Sequence, residues 1–94
     1  MNLIIDQISG NCPVQGDGTI DGVPWYFRAR FEHWSMSIGP DPVGISCGEK
    51  HGWYREEAWG DGEYDAGYMP RDTAKQIIRD CAKKWDQEQR RNAR

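Results

Sequence analysis

The chain has 94 residues, of which only 37% are hydrophobic, so it holds one small core and excludes a multidomain enzyme. Five Trp, four Tyr and two Phe supply much of the apolar surface that such a core can bury. The formal net charge is -3, but residues 1–70 carry 11 acidic and 4 basic side chains, a balance of -7, whereas residues 71–94 carry 4 and 8, a balance of +4.

The first predicted elements are strands joined by a hairpin turn. Leu3 to Ile8 is rich in apolar side chains and predicts a strand. Asp21-Gly22 favours a two-residue turn with positive φ at both positions, which sets Gly18 opposite Trp25. The following strand alternates between a core face and a wet face. The core face holds Val23, Trp25, Phe27, Ala29 and Phe31, and the wet face holds Pro24, Tyr26, Arg28, Arg30 and Glu32.

A second hairpin turn is predicted where this alternation slips by one residue. The next apolar set, Trp34 to Ile38, is out of phase with Phe31, and a two-residue turn at Glu32-His33 accounts for the slip. This turn sets Phe31 opposite Trp34. Because neither Glu nor His favours positive φ, a bulge or a longer loop is the alternative.

The middle of the chain predicts a break and then an edge strand. Two prolines in the segment Gly39-Pro40-Asp41-Pro42 end the strand that precedes it. Residues 43–47 are interpreted as a short strand and residues 48–52 as a loop. Residues 53–59 predict a further strand, and their charge indicates the edge of a sheet.

The end of the chain predicts an acidic loop and a helix. In the loop, residues 60–69, Asp61-Gly62 leaves open a further hairpin that would set Trp59 opposite Tyr64. Residues 70–91 predict an amphipathic helix entered at Pro70, and residues 92–94 a frayed tail. We therefore expect one α+β domain over residues 1–94: an antiparallel meander sheet of four to six strands within residues 1–69, with the C-terminal helix packed on one face.

The composition also predicts where the protein works. No stretch reaches the roughly 18 apolar residues of a membrane span, and the first residues lack the basic start of a secretory signal. Cys12, Cys47 and Cys81 are odd in number and far apart, unlike a disulfide framework. We expect a cytoplasmic protein with reduced thiols that does not associate with membranes.

No pattern of catalytic or metal-binding residues stands out. Cys12, Cys47, His33 and His51 are candidate metal ligands, but no Cys-x-x-Cys pair brings any of them together. The chain contains no nucleophile elbow, phosphate loop or dinucleotide fingerprint. We expect a non-enzymatic protein with no metal and no cofactor.

The predicted helix carries a basic row at steps of four residues: Arg71, Lys75, Arg79 and Lys83. Such a row can contact nucleic-acid phosphates. Acidic side chains are interspersed on the same helix, and the acidic remainder of the chain repels nucleic acid. A solvated helix face is therefore the favoured interpretation, and direct nucleic-acid binding is an alternative.

The candidate partner-binding surface is the run from Glu56 to Asp65, which has five acidic residues and no Lys or Arg. Aromatic anchors flanked by carboxylates suit an interface with a basic protein. The aromatic residues can instead complete the core while the carboxylates keep an edge soluble. The wet face bearing Tyr26, Arg28 and Arg30 is a rival interface. The predicted partner-binding residues are Glu56, Glu57, Trp59, Asp61, Glu63, Tyr64 and Asp65.

Three segments carry a resemblance to known proteins: Gly22 to Arg30, the acidic run, and the helix entry from Gly67 to Asp72. With its small size, the chain resembles the small acidic proteins of bacteriophages and mobile elements, a group that includes the anti-CRISPR proteins. The resemblance implies non-enzymatic, stoichiometric inhibition of a Cas protein or effector complex in the host cytoplasm, often where DNA would bind. Several acidic members of the group act as nucleic-acid mimics.

The group shares no signature, so no functional residue is carried over from it. Two other functions stay open at this point. One is a phage or bacterial accessory module with a structural or adaptor role, which a homodimer built on the Trp53 to Trp59 edge would favour. The other is a nucleic-acid binder that uses the basic row of the helix.

Overall fold

Five antiparallel strands in a meander and a 22-residue C-terminal helix confirm the predicted α+β class. The computed structural model describes residues 1–92. The strands follow chain order across the sheet. The elements are β1 (Leu3–Ser9), β2 (Val14–Ile20), β3 (Val23–Arg30), β4 (His33–Ile38), α1 (Pro42–Ser46), β5 (Trp53–Ala58), one turn of 3-10 helix (Asp65–Tyr68) and α2 (Arg71–Asn92).

The turn between β2 and β3 is the one that its sequence predicts. Asp21 and Gly22 both have positive φ, at 49° and 82°. Gly18 pairs with Trp25, which confirms the predicted register, and Trp25 is only 1% exposed. A Cβ atom at Gly18 would overlap the carbonyl oxygen of Ile4 and lie 3.0 Å from the Trp25 ring. The glycine therefore lets a large indole pack directly on β2.

The turn between β3 and β4 lies one residue earlier than predicted. Arg30 pairs with His33, so the turn residues are Phe31 and Glu32 in place of the predicted Glu32-His33. Every partner on β4 moves by two positions, which preserves the core face of that strand. In the observed register, Trp34 stacks on the Phe27 ring of β3, at 6.1 Å between centroids.

The prediction that Phe31 lies on the core face of β3 is wrong. The position of Phe31 in the turn takes it off the core face of β3, and its side chain is 44% exposed. It has a φ of 55°, in the left-handed region.

The segment that follows β4 is helical, so the predicted strand over residues 43–47 is wrong. A carboxylate oxygen of Asp41 accepts a hydrogen bond from the Gly44 amide at 3.1 Å, and Pro42 begins the helix. An N-cap Asp followed by Pro is a helix start signal. The Ser37 hydroxyl donates to the Pro42 carbonyl at 2.6 Å and holds α1 over one end of the sheet. The predicted edge strand is confirmed as β5.

The long helix α2 packs on one face of the sheet, and the short helix α1 covers one end of the other face, which we call the open face. The buried residues of α2 belong to the same core cluster as the aromatic side chains of β3 and β4. The indole of Trp53 also donates a hydrogen bond to Glu88. Residue 92, expected in the frayed tail, is still helical, and residues 93 and 94 lie outside the described residues. The buried residues of α2 are Ala74, Ile78, Cys81 and Ala82.

Two further features complete the fold. Residues 59–64 lie in a loop, so Asp61-Gly62 does not form the hairpin that its sequence leaves open. Neither helix within residues 1–92 combines the length and the apolar character that crossing a bilayer requires.

Candidate functional site

The residues predicted to form one partner-binding surface lie in several different settings. Glu56 and Glu57 are consecutive in β5, so their side chains point to opposite faces of the sheet. Glu56 pairs with Ser35 and lies on the open face. Glu57 pairs with the buried Trp34 and lies on the face that α2 covers. These two carboxylates therefore do not act on one partner surface together.

Each of these carboxylates also has partners within the sheet. Glu56 Oε1 lies 3.3 Å from His33 Nε2 and accepts a hydrogen bond from the Tyr54 hydroxyl at 3.1 Å. Burial, and then this hydrogen bond to Glu56, raises the pKa of Tyr54, which keeps the phenol protonated as a donor. Glu57 Oε1 pairs with Arg55 at 2.9 Å.

Asp65 organises the acidic loop. Its Oδ2 accepts hydrogen bonds from the backbone amides of Asp61 and Gly62, both at 2.8 Å. An Asp side chain that satisfies backbone donors in this way fixes the path of a turn. The role of Asp65 visible in the structure is thus to position the residues between Gly60 and Tyr64.

Trp59 lies against the core. It is half-buried, packs on the core cluster and lines a cavity of about 490 Å³ between β5 and α2, together with Ile77 and Cys81. Its backbone amide donates to the Glu32 carbonyl at 2.8 Å, which ties the start of the acidic loop to the β3–β4 turn. Trp59 therefore connects the acidic loop to the core, and its side chain is only partly available to a partner.

Two exposed aromatic rings meet at the end of the β3–β4 hairpin. The centroids of Phe31 and Tyr64 are 6.1 Å apart, with the rings tilted by 57°. Tyr64 is 55% exposed. The backbone amide of Ala66 donates to the Phe31 carbonyl at 3.0 Å, so the loop is docked on the turn. We call this region the aromatic tip, consisting of Phe31, Glu32, Asp61, Glu63 and Tyr64.

The backbone of Phe31 is unusual for so large a residue. An L-residue in the left-handed region costs roughly 1–2 kcal/mol, and bulky side chains are genuine outliers there. The ring gains only partial burial in return, with the Arg30 guanidinium carbon 4.8 Å from its centroid. A glycine or asparagine would form this turn at a lower conformational cost.

Three carboxylates flank the rings along the chain. Glu32 follows Phe31, and Asp61 and Glu63 precede Tyr64. All three residues are exposed, and none of them belongs to an ion pair found within residues 1–92. With Arg30 included, the aromatic tip carries a net charge of -2.

The sequence prediction missed two members of this region, Phe31 and Glu32. The alternation of β3 assigned Phe31 to the core, and the acidic run does not include Glu32. The slip in phase between Phe31 and Trp34 locates a turn to within one residue, but it does not say whether Phe31 ends the strand or enters the turn, so no sequence signal places Phe31 at the surface.

The thiols are free and form no disulfide among residues 1–92. Cys12 and Cys47 are exposed, whereas burial raises the pKa of the Cys81 thiol to about 12 and leaves it protonated at neutral pH. Over residues 1–92, no three His, Cys, Asp or Glu side chains are grouped so that they could hold a metal ion. The absence of enzymatic activity and of a cofactor stays a prediction.

The basic row of α2 is accessible. Arg71, Arg79 and Lys83 are exposed and Lys75 is half-buried. Among residues 1–92, the only ion pair between two residues of this helix joins Arg90 to Asp86 at 3.1 Å. Binding of nucleic acid to the row stays a prediction.

Comparison of the chain with protein-family models, with curated proteins and with solved structures gives no match. The fold class alone does not determine function, so the function has to be inferred from the site. The resemblance to anti-CRISPR proteins accordingly stays a prediction.

Proposed function

We propose that this chain is a non-enzymatic inhibitor that captures a basic protein through its aromatic tip. The observation that carries the proposal is the exposed Phe31, held in a left-handed conformation and in contact with Tyr64. Folding alone gives little reason for this choice, since a smaller residue suits the turn better. Aromatic side chains that become buried on association, in contrast, carry much of the energy of an interface.

The end of the sheet that bears the aromatic tip offers more surface than two rings. The backbone amide of Cys12 donates to the Gly67 carbonyl at 2.6 Å, which brings the β1–β2 loop to the same end. Tyr68, on the 3-10 turn beside them, is 64% exposed. A stable interface buries about 800 Å² per partner, more than two aromatic side chains provide. We expect the β1–β2 loop, the β3–β4 turn and the acidic loop to contribute to the interface.

The charge of this region favours a basic partner. The carboxylates of Glu32, Asp61 and Glu63 carry no ion pair within residues 1–92, and residues 1–70 as a whole have a balance of -7. Such a field accelerates encounter with a positively charged surface and disfavours acidic partners. Complementary charge around aromatic anchors raises the rate of association and favours basic partners over acidic ones.

The resemblance to anti-CRISPR proteins identifies the class of partner in this proposal. A Cas protein or effector complex holds nucleic acid in a positively charged channel. In the proposed complex, the carboxylates of the aromatic tip take the place of nucleic-acid phosphates in that channel. Glu56 and Glu57 are left outside this contact because they lie on the two faces of the sheet.

The test is a plaque assay in hosts whose CRISPR–Cas systems target the infecting phage. We expect the wild-type chain to restore plaques against at least one system and the double variant Phe31→Asn with Tyr64→Ser to lose this effect. The control is Val43→Ser. Val43 is also an exposed apolar residue, at 53%, but it belongs to α1 and not to the aromatic tip.

Two outcomes would overturn parts of the proposal. Full restoration of plaques by the double variant would exclude the aromatic tip as the interface. Failure of the wild-type chain against every system tested would exclude Cas proteins as the partner. Circular dichroism of each variant establishes that a loss of effect does not come from unfolding.

A further inference from the structure

The open face of the sheet carries a small polar cavity that the proposed function does not use. It has a volume of about 150 Å³ and lies over β3, β4 and β5, beside Ser46 of α1 and on the side away from α2. Its polar lining includes Arg28, Arg30, His33, Ser35, Tyr54 and Glu56. In a chain whose first 70 residues are strongly acidic, a cavity with two arginines is a marked local reversal of charge.

Strand alternation and register together build this cavity. Arg28 and Arg30 are two residues apart on β3, so their side chains leave the same face with Cα atoms about 7 Å apart. Arg28 pairs with Ser35, and Ser35 pairs in turn with Glu56 on β5. These pairings bring the two cations and the hydroxyl to one place.

The charges of the cavity are not balanced internally. Neither Arg28 nor Arg30 takes part in an ion pair found within residues 1–92. The carboxylate of Glu56 is engaged instead with His33 and Tyr54. Both arginines line the cavity without a carboxylate partner among the described residues, and an anion bound there would supply one.

We propose that this cavity binds a single phosphate group between the guanidinium groups of Arg28 and Arg30. Guanidinium presents paired N–H donors that match two phosphate oxygens, and Ser35 offers a hydroxyl beside them. The cavity is small, about 150 Å³, and suits a ligand group of the size of one phosphate. The ligand is therefore free phosphate or the phosphate of an ester whose organic part projects outwards.

The surroundings favour one phosphate group over a polyanion. A nucleic-acid backbone needs several cations in a track, with a strong dependence of binding on salt. Here two arginines lie in an isolated cavity next to Glu56, on a chain that repels extended anions. Nucleic-acid binding is accordingly an outcome that the test must exclude.

The experiment is a titration of the ¹⁵N-labelled chain with inorganic phosphate at constant ionic strength, followed by NMR. We expect saturable shifts of the backbone amide signals of β3, β4 and β5 around Arg28 and Ser35. Arg28→Gln should weaken binding by about 10-fold or more, because it removes charge-assisted hydrogen bonds. Arg79→Gln makes the same change of charge on α2 and should alter the affinity by less than about twofold.

A second variant separates a binding role from a structural one. Glu56→Gln removes the only carboxylate of the lining but keeps an oxygen that accepts from Tyr54. We expect phosphate to bind this variant several-fold more tightly than the wild type, because one repulsive charge is gone. Weaker binding to this folded variant would contradict the proposal.

Further arms distinguish the sources of the phosphate. Tighter binding of phosphoserine than of inorganic phosphate assigns the cavity to an ester, and equal or weaker binding assigns it to the free ion. Absence of saturation, or an undiminished response in Arg28→Gln, would overturn the proposal. So would steeply salt-dependent binding of an oligonucleotide without a response to phosphate. The substituted residues, Arg28 and Glu56, lie outside the aromatic tip, so the plaque assay tests partner capture separately. Arg30 contacts both regions, because its guanidinium carbon lies 4.8 Å from the Phe31 ring centroid, and it is therefore left unchanged.

Discussion

The β2–β3 turn and the β3–β4 turn lie at opposite ends of β3. The first consists of residue types that tolerate positive φ, and the second contains a large aromatic residue. Asp21 and Gly22 both have the positive φ that their types tolerate. In the second turn, Phe31 has a φ of 55° although it is large and aromatic. The residue types of the first turn thus match its backbone, whereas the second turn places a large aromatic residue in a conformation that costs it free energy.

The two turns also differ in what their hydrogen bonds hold in place. Asp21 Oδ1 accepts a hydrogen bond from the Asn2 amide at 2.6 Å, and the Asp21 amide donates to the Asn2 carbonyl at 2.9 Å. Those bonds attach the start of the chain to the first turn. At the second turn, the Phe31 carbonyl holds the acidic loop while the ring points into solvent beside Tyr64. One turn closes the fold, and the other displays side chains.

The largest loss of stability is expected where the first hairpin is packed. Gly18→Val should lower the free energy of unfolding by about 3 kcal/mol or more, because the added atoms overlap the Ile4 carbonyl and press on Trp25. Urea denaturation followed by tryptophan fluorescence measures the change. Thr19→Val, on the opposite face of β2, is the matched control. A loss below about 1 kcal/mol would show that the strands do not press on Gly18.

A smaller loss is expected at the turn itself. Gly22→Ala should cost about 1–2 kcal/mol, because an L-residue is strained at a φ of 82°. Apart from its two chain neighbours, no residue between 1 and 92 has an atom within 4 Å of the added Cβ, so the cost is conformational. The same denaturation experiment measures it. An unchanged midpoint would mean that the turn relaxes without penalty.

In the acidic loop, Asp65→Ala should cost about 1 kcal/mol, because two backbone amides lose their acceptor. Amide hydrogen exchange at Asp61 and Gly62 should accelerate as well. Glu63→Ala is the control, and it should leave both stability and exchange nearly unchanged. Equal effects of the two substitutions would contradict the structural role of Asp65.

The smallest change in stability is expected at the second turn. Phe31→Asn relieves the left-handed strain but removes a partly buried ring, so the free energy of unfolding should change by less than about 1 kcal/mol. Phe27→Ala, in the core, should cost about 3–5 kcal/mol by comparison. Thermal unfolding of both variants tests the contrast. A loss at Phe31 close to that at Phe27 would make it a structural residue and remove its case as an anchor.

The two turns also show how far local sequence signals reach. Asp-Gly encodes its own turn through φ preferences, so the first hairpin and its register could be predicted to the residue. None of Phe31, Glu32 and His33 favours positive φ, so the second turn had no local signal. Its position depends on which aromatic residues of β3 and β4 stack, and packing of that kind is decided between strands.

Other differences between sequence and structure have similar causes. Residues 43–47 contain apolar side chains in a run too short for periodicity to separate helix from strand, and the cap at Asp41 decides in favour of helix. A run of charges predicts the sign of a surface but not its direction. The pleat of β5 places Glu56 and Glu57 on opposite faces of the sheet, and Asp65 accepts hydrogen bonds from the backbone. Within the acidic run, the carboxylates that have neither an ion pair nor a backbone hydrogen bond among residues 1–92 therefore belong to the aromatic tip.

The attachment of Asn2 to Asp21 has a practical consequence for mounting the protein on a sensor. Because β3 runs about 25 Å from one turn to the other, the amino end is held roughly the length of that strand away from Phe31. A linker joined ahead of Met1 would leave the far end of the sheet facing the solution.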